Sequence, residues 1–73
     1  MNAKEWLAAY ADRLGVEAPT ADELKAVLDL AAEAAHASER IAAPVACWLA
    51  AKAGRSLDES LVLAKEVAPA SGS

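Results

Sequence analysis

Apolar residues recur along this chain at helical spacing in four separate blocks. In the first, Ala3, Trp6, Leu7, Tyr10, Ala11 and Leu14 fall at i, i+3 and i+4. That spacing predicts a helix capped by Asn2 and closed by Gly15. After the linker Glu17-Ala18-Pro19, Thr20-x-x-Glu23 reads as a capping box and opens a second helix. Its expected buried stripe is Leu24, Val27, Leu28, Ala31, Ala34 and Ala35. Lys25, Asp29, Glu33, His36 and, at the far end, Arg40 lie on the opposite side.

The third block is different in kind. Pro44 suits the first position of a helix, where its missing N–H costs nothing, and Gly54 suits its end. Between them Val45, Trp48 and Leu49 share one side, while Ala46, Cys47, Ala50 and Ala51 make up the other. Lys52 is the only charge. A helix apolar all round is normally buried all round, so the third helix is expected at the centre of the fold. A second capping box, Ser56-x-x-Glu59, starts the fourth helix. Leu57, Leu61, Ala64, Val67 and Ala68 form its expected inner side and Pro69 its stop. Val62 and Leu63 lie off that side as a candidate partner-facing patch. The expected architecture is an all-α, compact four-helix bundle over residues 1–68, with 69–73 as a flexible tail.

Composition sharpens this reading. The chain has 73 residues, 56% of them hydrophobic, yet 21 of those are alanine. Alanine favours helix but buries little area, so close approach through small residues is the expected packing. The net charge is −4 and the seven basic residues are scattered singly, which argues against nucleic-acid binding. No charged segment followed by an apolar run opens the sequence, so no signal peptide is expected. The uncharged stretch Ile41–Ala51 is about half of the roughly 20 residues a membrane span needs. A cytoplasmic protein without membrane attachment is therefore expected.

Candidate chemistry is sparse. Glu33-x-x-His36 has the spacing of a di-iron bundle ligand pair, but one histidine leaves such a centre short of ligands, and an ordinary solvated pair accounts for it. Cys47 with His36 as base would make a nucleophile only if the thiol were exposed and acidic, whereas packing among alanines accounts for it without chemistry. With isolated glycines, no phosphate-binding loop is present. Trp6 and Trp48 sit on apolar stripes and are expected in the core. No catalytic residue, metal site or cofactor is expected, and the chain reads as a non-enzyme.

The residues that remain for recognition are His36, Glu39, Arg40 and Ile41, at the corner between the second and third helices. Ile41 is either an interface residue ringed by charges or a plug over the end of the core. Arg40 either caps the second helix or contacts a partner. A self-assembling structural domain, with the chain forming a homo-oligomer, is the competing interpretation.

Glu5-Trp6-Leu7, the stretch from Val27 to Gly54 and the terminal amphipathic helix resemble a small helical domain of unknown function from high-GC Gram-positive bacteria. The most specific portion is Ala35-His36, Glu39-Arg40, Ala42-Ala43-Pro44 and Leu49 to Gly54. That family is found free-standing or appended to molybdenum cofactor guanylyltransferases, and near formate dehydrogenase accessory genes. The resemblance implies an accessory role in molybdopterin guanine dinucleotide biosynthesis or delivery. It also implies a protein partner, namely a molybdenum cofactor nucleotidyltransferase or a formate dehydrogenase accessory protein. It implies no catalytic residues, because guanylyl transfer belongs to the larger domain. Two departures stand out: Ile41 replaces a second proline, and Ala46-Cys47 replace a hydroxyl pair ahead of Trp48.

Overall fold

A computed structural model describes residues 1–67 as four helices: α1 (Ala3–Leu14), α2 (Ala21–Ala37), α3 (Ala42–Ala53) and α4 (Leu57–Lys65). No strand occurs among the described residues. Ala68, the expected stop at Pro69 and the expected tail 69–73 lie outside them.

The helix ends follow from local chemistry. Asn2 Oδ1 accepts from the Glu5 N–H at 2.8 Å while Glu5 Oε1 accepts from the Asn2 N–H at 3.0 Å. Thr20 and Glu23 close the same reciprocal box at α2. Each box satisfies two donors that a helix start leaves without partners. Gly15 (φ 79°) and Gly54 (φ 73°) end α1 and α3 in the left-handed region. A side chain is disfavoured there. At α4 only half the expected box forms. Ser56 Oγ accepts from the Glu59 N–H at 3.1 Å, but the Glu59 carboxylate turns to Arg55 at 3.4 Å.

α3 begins two residues earlier than Pro44 implies. The N–H groups of Ala42 and Ala43 donate to the carbonyls of Glu39 and Arg40, so the connector itself winds into the helix. Pro44 then occupies the third helical position, still within the first turn, where its missing donor is not needed.

The central element is α2, not α3. Both α3 and α4 pack along α2, and the fold has no comparable α3–α4 or α1–α3 contact. Leu30, absent from the stripe expected on α2, is its most buried residue at 3% exposure. It lies between the sides of α2 that receive α3 and α4, whereas Leu28 turns to solvent.

The orientation of α3 reverses the expectation. Ala43, Ala46, Cys47 and Ala50 turn toward α2, while Val45, Trp48 and Leu49 are exposed, Trp48 by 61%. The cause is size. α2 offers Val27, Ala31, Ala34 and Ala35, and only an alanine-rich surface approaches that one closely enough to pack without voids. An indole between two alanine-lined backbones would prise them apart. No other helix among the described residues covers the outer side of α3.

α1 lies against the start of α2, where Lys4, Leu7 and Ala8 face Ala21 and Leu24 across a small hollow. Ala11 is buried, but Trp6, Tyr10 and Leu14, expected to pack, stay exposed. Trp6 and Tyr10 contact each other instead, with ring centroids 5.1 Å apart. On α4 the most buried residue is Ser60, whose hydroxyl donates to the Ser56 carbonyl at 2.9 Å. Val67, expected inside, is exposed.

Candidate functional site

The corner between α2 and α3 is built by Ser38. Its backbone N–H and its hydroxyl both donate to the Ala34 carbonyl, at 3.1 and 2.9 Å, and end α2. Arg40 makes no such capping bond. His36, Glu39, Arg40 and Ile41 all lie exposed around this turn, Ile41 at 74%. Of the two roles open to Ile41, the core plug is excluded by that exposure.

Ile41 does not stand alone. Ile41, Val45 and Trp48 follow one another at i, i+4 and i+7, so they form a continuous stripe on the outer side of α3. Lys52 extends it, with its ammonium 4.9 Å from the centre of the Trp48 ring. An exposed cation–π contact of this kind is worth about 0.5–1 kcal/mol and holds the indole in place. The polar corner and the apolar stripe therefore adjoin at Ile41. Tryptophan is among the residues enriched in protein-binding hot spots, and here the indole is exposed and held by a neighbouring lysine. No sequence signal marked Trp48 as exposed, because its helix is apolar on both sides.

A second surface lies on the other side of α3. Because α3 and α4 both lean on α2 and not on each other, an open apolar groove of about 460 Å³ runs between them. Leu30 and Ala34 form its floor, Leu49 one bank, and Leu63 and Val67 the other.

The metal and nucleophile candidates fare differently. Asp29, Glu33 and His36 border a shallow hollow of about 250 Å³ against Leu61 and Lys65 of α4. Glu33 is half-buried there rather than projecting freely. Among the described residues, no three His, Cys, Asp or Glu side chains come together in a metal-holding group. Cys47 faces α2, and its thiol donates to the Val27 carbonyl at 3.9 Å rather than to an imidazole. Burial pushes its pKa above the ordinary value, opposite to the shift that makes a thiol reactive. No described helix is long and apolar enough to cross a membrane.

A family model for a domain of unknown function, DUF6457, matches residues 1–71 of the chain. No curated protein and no solved structure matches it.

Proposed function

The chain belongs to the DUF6457 family, and from that premise we propose that it is a non-catalytic interaction module that holds a protein partner on the outer side of α3. The observation that carries this reading is the exposed stripe Ile41–Val45–Trp48, which starts next to Glu39 and Arg40 at the exposed corner. Contiguous exposed apolar area rimmed by charge marks interaction sites in soluble proteins. The raised Cys47 pKa supports a role without nucleophilic chemistry.

The partner follows from the resemblance of Val27–Gly54 to domains appended to molybdenum cofactor guanylyltransferases. On this reading the domain docks on a molybdenum cofactor nucleotidyltransferase or a formate dehydrogenase accessory protein and assists cofactor maturation or delivery in the cytoplasm. The test is binding of the purified chain to each of these two proteins from the same host. Arg40→Ala with Ile41→Ser, and separately Trp48→Ala, should each weaken binding at least about tenfold with Tm nearly unchanged. Absence of binding to both proteins overturns the cofactor assignment. Stoichiometric iron, zinc or molybdenum that is lost in His36→Ala would overturn the non-catalytic reading.

A further inference from the structure

The outer side of α3 has a spacing of its own. Ile41, Val45, Trp48 and Lys52 are separated by four, three and four residues. Ile41 stands at the N-cap yet is itself in helical conformation, at φ −66° and ψ −18°, so the four make one continuous row. Four-three-four is the repeat of a helix that packs lengthwise against another helix. Resting on the reading of this side as a docking surface, we infer that its occupant is an α-helix of a different protein. That helix carries an apolar stripe of matching repeat and a carboxylate that meets Lys52.

The rest of α3 agrees with that repeat. The positions turned away from the row are Ala43, Ala46, Cys47 and Ala50, and these pack on α2. Beside the row stand Ala42, Pro44, Leu49 and Ala51, so no charge is covered when a second helix comes alongside. An extended peptide has nothing to hold it here. The backbone groups of α3 are spent within the helix, and no strand among the described residues offers an edge for strand addition. From Ile41 to Lys52 the row runs about 16 Å, which is about three turns of a partner helix.

Charge specifies the partner further. α3 contains no acid, and Lys52 is its one charge. With its ammonium 4.9 Å from the centre of the Trp48 ring, that charge has a defined place at the end of the apolar row. A lysine in such a row selects among partners. Two parallel copies of α3 would bring Lys52 against Lys52, and two antiparallel copies would set it on Ile41. A second copy is therefore a poor occupant, and a helix with a carboxylate at that position is a good one. Lys52 stands in the last turn of α3, whereas a carboxylate is favoured in the first turn of a helix. The two helices therefore run antiparallel.

Fluorescence of the full chain carrying Trp6→Phe, in which Trp48 is the remaining indole, tests this. The probe is a synthetic helical peptide of about 18 residues, with leucine along one four-three-four row and glutamate at the row position of its first turn. Titration should shift Trp48 emission to the blue, because an indole 61% exposed becomes covered. Lysine in place of that glutamate should raise the Kd at least about tenfold, and Lys52→Glu should reverse the preference. Leu63→Glu, in the groove on the other side of α3, should change neither result.

No shift with either peptide overturns the inference, as does a preference that Lys52→Glu leaves unchanged. Loss of binding in Leu63→Glu would put the peptide in the groove and also overturn it. So would a blue shift on concentrating the chain alone, which would make a second copy the occupant. Binding to one of the two cofactor proteins without any response to the peptide overturns the helical occupant and leaves the interaction module standing. A charge-selective response to the peptide with no binding to either protein does the reverse, supporting the helix and removing the cofactor assignment.

Discussion

The Cys47 thiol reaches the backbone carbonyl of Val27 at 3.9 Å, across twenty positions of sequence. A side chain as short as cysteine makes such a contact only where α3 rides close on α2. The small residues around it, Ala43, Ala46 and Ala50, allow that closeness. The same contact turns Trp48 outward, since neighbouring positions of a helix point in different directions.

This placement makes Cys47 a slow thiol. Burial raises its pKa above 9.0, so at neutral pH even less thiolate is present than for a free cysteine. Alkylation by iodoacetamide at pH 7.5 should run roughly tenfold slower in the folded chain than in denaturant. The linkage has a definite sign. With the folded value above the unfolded one, this group's contribution to stability is complete below 9.0 and is lost as pH rises through the folded value. Rapid alkylation of the native chain would contradict the burial.

The hub position of α2 separates two large side chains that look alike in sequence. Leu30→Ala removes the most buried apolar residue and should cost about 2–5 kcal/mol. Trp48→Ala removes an exposed indole and its contact with Lys52, and should cost about 1 kcal/mol or less. Urea melts in dilute solution distinguish them, and the opposite order would mean that α3 presents its other side to α2.

Gly54 closes α3 at φ 73° with nothing within 4 Å of the position a Cβ would take. Gly54→Ala is therefore a purely conformational change, expected to cost about 1–2 kcal/mol from left-handed strain alone. Gly15→Ala, at φ 79° with equally open surroundings, should behave the same way. A Tm unchanged in both would show that these turns relax.

The whole and half capping boxes also part under substitution. Thr20→Ala should cost about 1 kcal/mol, because it breaks a closed pair at the start of the central helix. Glu59→Ala loses only an exposed pair with Arg55 and should cost less than about 0.5 kcal/mol. Thermal melts at low and high salt check this, since only the Glu59 effect should fade with salt.

The helix ends were legible because their signals are local. Asn2, Thr20, Gly15, Gly54 and Ser56 each specify a boundary within a few residues, and each does so in the fold. Which side of a helix turns inward was legible only in part. On α2, Leu24, Val27, Ala31, Ala34 and Ala35 do turn toward neighbours, yet the expected stripe took in Leu28 and left out Leu30. That stripe assumed one packing direction, whereas α2 receives α3 and α4 on two sides. On α3, apolar residues all round remove periodicity as a guide, and fit to the alanines of α2 decides instead. The exposed corner of His36, Glu39, Arg40 and Ile41 was visible in outline, since three of the four are polar. The groove was not, because it exists only where two separate helices leave a third uncovered.

The light attachment of α1 has a consequence for the order in which the molecule comes apart. Leu7 and Ala11 are the only residues of that helix that are not exposed, whereas α2 packs against both α3 and α4. Amide protons of α1 should therefore exchange with solvent through local opening that leaves the other helices in place. Those around Leu30 should wait for the whole fold to come apart.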